Sequence, residues 1–169
     1  TRYGTSPNQI IGNVTCILLT YEHIWVGTRN GVASTPIGNA NPSVPESWIV
    51  YTTIDGLPSN QITGLIPLIL GPGDVIEAAT AMGFARYEAA VWNIDSSTYG
   101  LNVVDWAKID PPCFDCSGFF FITPAGLYAR GGGPSSMNQE TPNSNFSSNL
   151  TSLTIGKDSD IYLGSANDG

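Results

Sequence analysis

The chain has 169 residues, which is enough for one domain with a buried core. Hydrophobic residues make up 41% of the chain, whereas charged residues make up only 12%, about half the usual share. The formal net charge of -8, with only six Lys and Arg residues, argues against nucleic-acid binding. Glycine and proline are frequent and few stretches have helical character, so the composition predicts an all-β fold.

Scarce charges together with many Ser, Thr and Asn residues predict an extracellular or cell-surface location. The longest apolar run, 62–70, is interrupted by Gly64 and Pro67 and is too short to cross a bilayer. We therefore expect no membrane insertion.

The clearest local signal is a hairpin near the start of the chain. Ile24, Trp25 and Val26 have high strand propensity, and Asn30-Gly31 is the strongest short hairpin signal because both residues tolerate positive φ. Together with its neighbours, this hairpin predicts a first unit with four strands, at 14–19, 23–27, 32–36 and 48–53.

The same order of turns and strands returns along the chain. A second unit has strands at 62–70, 74–79, 84–87 and 91–93. A third has strands at 103–109, 119–122 and 127–129, and its polar loop 131–148 is long enough to contain a poor fourth strand. A fourth has only 150–155 and 161–164.

Gly31, Gly83, Gly126 and Gly169 fall in register, at spacings of 52, 43 and 43 residues. A period of about 40–50 residues with four strands is typical of a propeller blade. A β-sandwich also has short strands, but it would not repeat this order of turns and strands. We therefore predict a single β-propeller-like domain over 1–169, with about four blades of antiparallel strands. The expected units are 8–59, 60–101, 102–148 and an incomplete 149–169.

Several motifs carry a family resemblance: Ile24-Trp25-Val26-Gly27-Thr28, Asn30-Gly31-Val32, Trp48, Tyr51-Thr52 and Gly56-Leu57-Pro58-Ser59-Asn60. This pattern resembles the two-component-regulator propeller repeat, clearly over 8–90 and weakly over 91–169. The resemblance implies a blade fold and, as one functional reading, a fragment of a ligand-sensing receptor ectodomain. The motifs specify a blade rather than an activity.

The two ends of the chain suggest how it assembles. The chain begins with a strand-like stub, and its last unit lacks outer strands. Only eight residues, 1–8, are available for closing a ring, whereas the same interval in the first unit, Gly31 to Asn60, spans twenty-nine. This shortfall favours pairing with other copies or with a continuing propeller chain over ring closure. The expected assembly residues are Thr1, Arg2, Tyr3, Gly4, Ile161, Tyr162, Leu163 and Gly164.

The three cysteines allow two readings. Cys113 and Cys116 form a C-x-x-C within a turn, and we expect them to form a local disulfide while Cys16 stays a buried free thiol. Zinc bound by these three cysteines and His23 is the alternative. It is disfavoured because the ligands come from units far apart in the repeat.

Catalytic signals are weak. Asp158-Ser159-Asp160 resembles the start of a calcium loop but lacks the required Gly and Glu, so a turn is favoured. Asp105, Asp110 and Asp115 could face a central channel, but their spacing does not bring two carboxylates together for acid–base catalysis. His23 is the only histidine, and no serine lies in a Gly-x-Ser-x-Gly motif. We expect no enzymatic activity, no cofactor and no metal.

Three sequons, at Asn13, Asn145 and Asn149, are candidate glycosylation sites, and glycans are therefore possible partners. Trp25 is expected in the core. Trp48 and Trp92, on predicted outer strands, are candidates for either an interface or packing.

From these features we predict a non-enzymatic extracellular structural subunit of a surface array or filament, joined head to tail through unpaired terminal strands. The alternatives are a ligand-sensing propeller ectodomain and, third, a propeller carbohydrate-active enzyme.

Overall fold

A computed structural model describes residues 12–38, 41–69, 73–108, 118–130, 137–140, 149–157 and 160–166. The chain divides into two compact units, Thr1–Gly100 and Leu101–Gly169. The prediction that all repeat units form one domain stays a prediction.

The first unit contains two four-stranded antiparallel sheets. The first sheet has the order β1-β2-β3-β4, and the second has the order β5-β6-β7-β8. Their bounds are β1 Val14–Leu19, β2 His23–Thr28, β3 Gly31–Pro36, β4 Ile49–Tyr51, β5 Ile62–Ile69, β6 Val75–Thr80, β7 Gly83–Glu88 and β8 Val91–Ile94.

The second unit contains a third sheet of four strands and a last sheet of two. The third sheet has the order β12-β11-β10-β9, and the last pairs β13 with β14. Their bounds are β9 Asp105–Lys108, β10 Phe119–Thr123, β11 Gly126–Arg130, β12 Met137–Glu140, β13 Leu150–Ile155 and β14 Ile161–Ser165.

The repeated glycine closes the central hairpin of each four-stranded sheet. Gly31 and Gly83 have φ of 127° and 112°, a region that side chains with a Cβ rarely adopt. A Cβ on Gly31 would also collide with the carbonyl oxygen of Tyr51. The Thr28 hydroxyl donates to the Gly31 carbonyl at 2.9 Å, and the Thr80 hydroxyl donates to the Gly83 carbonyl at 2.8 Å. The same local chemistry therefore builds both hairpins.

Two hydrophobic clusters of described residues stabilise the first unit. The larger lies between the two sheets and includes Trp25, Leu65, Ile76, Tyr87 and Trp92. The smaller covers the opposite face of the first sheet with Val26, Ala33 and Trp48. In the second unit, a cluster between the third and last sheets includes Ile122, Leu127, Leu150 and Leu153.

The all-β, propeller-like fold class is confirmed, and most strand ends fall within one or two residues of prediction. The fourth strand suspected in loop 131–148 is β12, which pairs with β11. β4 ends at Tyr51, before the predicted 53, because the chain turns there into a 3-10 helix, Thr53–Asp55. The Thr52 hydroxyl accepts from the Ile54 N–H, and the Asp55 carboxylate accepts from the Thr52 N–H, which together cap this turn.

Candidate functional site

The predicted assembly residues Ile161 to Gly164 form most of β14, the last strand described. β14 pairs with β13, and no other pairing is found for it among the described residues. In the three other sheets the corresponding second strands, β2, β6 and β10, each pair on both sides. Thr1, Arg2, Tyr3 and Gly4 lie outside the described residues.

A polar cluster joins the two sheets of the first unit. Asp74 lies in the turn before β6, and its Oδ2 accepts hydrogen bonds from the Thr20 hydroxyl at 2.7 Å, His23 Nδ1 at 2.8 Å and Trp25 Nε1 at 2.9 Å. All three donors belong to the first sheet or its β1–β2 turn. Next to it, the Glu22 carboxylate accepts from the Gly73 N–H at 3.0 Å. This cluster therefore fastens the β5–β6 turn onto the first sheet.

Electrostatics keep the Asp74 carboxylate ionised. Its burial acts to raise the pKa of Asp74, but the hydrogen bonds from Thr20, Trp25 and His23 outweigh that effect and hold the pKa below its usual range. Because an ionised carboxylate only accepts hydrogen bonds, His23 Nδ1 must carry the proton in this pair.

The cluster also contains the groups that could hold a cation. Glu22, His23 and Asp74 each offer one ligand atom, and these atoms lie within 4.8 Å of one another. Yet Asp74 Oδ2 already accepts three hydrogen bonds, and Glu22 Oε1 already accepts one. Through these two oxygens the arrangement works as an intersheet clamp, while the second oxygen of Asp74, Oδ1, is buried with no hydrogen-bond partner among the described residues.

An Asp–His pair also orients the general base of a hydrolytic triad. Within the described residues, no hydroxyl or thiol side chain is hydrogen-bonded to the second ring nitrogen of His23. Asp105, a predicted channel residue, accepts from the Trp106 and Leu153 N–H groups, each at 2.9 Å, and so links β9 to β13. Asp110 and Asp115 lie outside the described residues. The absence of enzymatic activity stays a prediction.

Only some of the cysteine and sequon residues lie within the described part of the chain. Cys16 has a free, half-buried thiol whose pKa is raised by burial. Cys16 pairs with Gly27 and not with His23, which lies at the other end of β2, so these two do not form part of one zinc site. Asn13 and Asn149 are exposed. Cys113, Cys116, Asn145, Asp158 and Ser159 lie outside the described residues, and the disulfide and glycosylation stay predictions.

The burial of the tryptophans decides between the interface and the packing readings. Trp25 is fully buried, as expected, and its ring packs against Tyr87 at 4.8 Å and Trp92 at 6.1 Å between centroids. Trp48 and Trp92 are only 8% and 4% exposed, so the interface reading for them is wrong and the packing reading holds. The Trp48 indole donates to the Pro42 carbonyl, because the 41–47 loop folds over it.

The sequence pattern did not identify Asp74 as an organising residue and placed it only at the start of the predicted strand 74–79. A signal was available in the repeat register, because Glu22 and Asp74 each stand nine residues before the repeated glycine. Turns at equivalent positions of neighbouring sheets lie side by side, so Asp74 comes next to Glu22 and His23.

No protein-family model matches the sequence, and no curated protein sequence matches it. No helix in the described part of the chain has the length and apolar character that crossing a bilayer requires.

Solved structures do match the fold. One is the extracellular domain of a hybrid two-component system from B. thetaiotaomicron, at 18% identity and TM-score 0.61, covering 92% of this chain and 19% of that one. Another is an ancestral GH74 enzyme, at 16% identity and TM-score 0.61, covering 90% of this chain and 22% of that one. The chain thus spans about a fifth of the length of these structures. It resembles the propeller-type extracellular domains of two-component regulators, and what they share is the fold.

Proposed function

We propose that this protein is a non-enzymatic, extracellular structural subunit, and that copies join head to tail into an array or filament through unpaired terminal strands. The observation that carries the proposal is the two-stranded last sheet. There, β14 has a partner on one side only among the described residues, whereas its counterparts β2, β6 and β10 have two. The extracellular location is supported by the low charge and the Ser, Thr and Asn content.

The backbone of β14 presents hydrogen-bonding groups on this second side. Ile161 occupies the position of Ile24, because both stand three residues before a glycine that pairs with the bulged part of the preceding strand. Ile24 has Thr35 of β3 as its partner on that side. Unpaired edges of this kind accept a strand from another chain.

The proposed donor is the segment Thr1 to Gly4 of a neighbouring copy, which the sequence predicts to be strand-like. A strand donated from the start of one copy to the end of another uses two different surfaces, so the contact is heterologous. Such contacts propagate into filaments unless their rotation closes a ring.

The proposal is tested by solution mass across concentration, followed by electron microscopy of concentrated protein. We expect Ile161→Pro to reduce assembly strongly, because proline removes the N–H on the second side of β14. Ile161→Ala is the matched control, since it shortens the same side chain and keeps the N–H. A labelled peptide with residues 1–11 should bind the wild-type chain and not Ile161→Pro. A wild-type chain that stays at single-chain mass up to high concentration would refute the proposal.

A second candidate is a ligand-sensing ectodomain in which further blades continue in the same polypeptide. The fold likeness to a much longer sensor ectodomain favours it. A reading frame that continues into more repeats, a membrane segment and a kinase would decide for this candidate.

A further inference from the structure

Three sheets share one strand register, so their residues can be compared position by position. β1, β5 and β13 each carry an irregularity at the same point of the pairing: Val14/Cys16, Ile62/Gly64 and Leu150/Ser152. The next residue in each strand is Ile17, Leu65 or Leu153, and these three occupy equivalent positions.

We call the face that carries these equivalent residues the leading face of each sheet. Leu65 is 4% exposed because it packs against the first sheet, and Leu153 is 6% exposed because it packs against the third. Ile17 is 68% exposed, and Leu19 on the same face is 66% exposed. The first sheet therefore exposes apolar residues at a strand position whose equivalents in the second and last sheets are buried.

We call the opposite face of each sheet its trailing face. This face is buried in the first sheet and exposed in the last sheet. Tyr162 of β14 is equivalent to Trp25 of β2, since each stands two residues before the paired glycine, Gly164 or Gly27. Trp25 is fully buried against the second sheet, whereas Tyr162 is 58% exposed.

We propose that the trailing face of the last sheet of one copy, with Tyr162, Thr154 and Ser152, packs against Ile17 and Leu19 on the leading face of the first sheet of the next copy. This inference rests on the proposed assembly and names the surfaces that join. It repeats a contact already built within the chain, where β5 packs against both β1 and β2. Each copy carries both halves, so the contact adds copies in one direction.

The polar part of the built contact has a counterpart at the trailing end only. Within the chain, the Trp25 indole N–H donates to Asp74. At the trailing end Tyr162 carries a hydroxyl where the built contact has the Trp25 indole N–H, whereas Glu22, at the repeat position of Asp74, accepts from the Gly73 N–H of the second sheet.

Variants that block one face at a time test the inference. Ile17→Lys/Leu19→Lys blocks the leading face, and Tyr162→Lys blocks the trailing face. Each alone should lower self-association at least tenfold. Mixed in equal amounts, the two variants should form one-to-one dimers of twice 17.9 kDa, because one intact face remains on each. Larger assemblies should not form, since the two blocked faces carry like charge.

The matched control is Ile54→Lys. Ile54 is 94% exposed but lies on neither face, so its substitution should leave assembly unchanged. Thermal unfolding checks that each variant folds, and Ile17→Thr, which keeps strand propensity, gives a milder test of the same face.

The outcomes separate the inference from the proposed function. If the wild-type chain assembles and all these variants assemble equally well, the inference is wrong and strand exchange at β14 alone carries the assembly. If a mixture of Ile17→Lys/Leu19→Lys and Tyr162→Lys still forms assemblies longer than a dimer, the inference is also wrong. If the wild-type chain stays at single-chain mass, both proposals fail.

Discussion

Replacing Asp74 with alanine removes the acceptor on which three donors of the first sheet converge. The consequences differ among the donors. The Thr20 hydroxyl also lies 2.9 Å from the His23 carbonyl and can turn its hydrogen to that oxygen. The His23 ring is a quarter exposed and can reach water. Trp25 Nε1 belongs to a fully buried side chain, so its N–H loses its partner and has no route to solvent.

The expected loss in the free energy of unfolding follows from what happens to these three donors. An orphaned buried donor costs about 1–3 kcal/mol, and the loss of two charge-assisted bonds that are partly replaced adds about 1–2 kcal/mol. We therefore expect Asp74→Ala to lower the free energy of unfolding of the first unit by about 2–5 kcal/mol. Asp74→Asn should cost less, because its amide oxygen can still accept the Trp25 hydrogen.

Urea unfolding followed by tryptophan fluorescence is a suitable assay, since three of the four tryptophans, Trp25, Trp48 and Trp92, lie in the first unit. The matched control is Glu22→Gln, an exposed neighbour whose amide oxygen can still accept from Gly73. It should change stability by less than about 0.5 kcal/mol.

A double-mutant cycle with Trp25→Phe isolates the buried bond. Trp25→Phe should cost less in the Asp74→Ala background than in wild type, because the donor it removes is then already orphaned. A loss below about 1 kcal/mol for Asp74→Ala, or costs that simply add in the double mutant, would refute this account of the clamp.

The same carboxylate makes stability depend on pH in a definite direction. Because the folded-state pKa of Asp74 is lowered, its contribution is fully present above the ordinary carboxyl pKa of about 3.9. It is lost as the pH falls through the lower, folded-state value. Acid unfolding should therefore steepen below about pH 4 in wild type and be shallower in Asp74→Asn.

Two further predictions concern packing and alkaline pH. Gly27→Ala should destabilise the first unit by about 1–3 kcal/mol in urea unfolding, because its Cβ would lie 2.5 Å from Cys16 Sγ and 2.8 Å from Ile62 Cγ2. Gly38→Ala, which meets no atom within 4 Å, should be nearly neutral, and equal costs for the two would contradict the steric reason. Burial, aided by the Tyr51 contact, raises the pKa of Tyr87, so its contribution is complete below about pH 10 and is lost as the pH rises through the folded-state value. Tyr87→Phe should flatten that alkaline loss, and an unchanged pH profile would show that Tyr87 does not titrate with unfolding.

The sequence by itself determined the strands, the hairpins and the repeat. These follow from local chemistry: β-branched and aromatic runs, turn glycines at positive φ such as Gly31 and Gly83, and the threonine three residues before each. The strand β12 has only a weak sequence signal, because its segment Met137–Glu140 is mostly polar and shows no alternation of apolar and polar residues.

Only the tertiary structure decided which side of each strand is covered. Ile17 and Leu65 read alike in sequence, yet one is exposed and the other buried, because the difference lies in whether a neighbouring sheet packs against that face. The clamp at Asp74 has the same origin, since its donors are about fifty residues away in sequence and meet the carboxylate only when the two sheets stack. Burial and long-range hydrogen bonding are properties of sheet packing, and local propensity does not encode them.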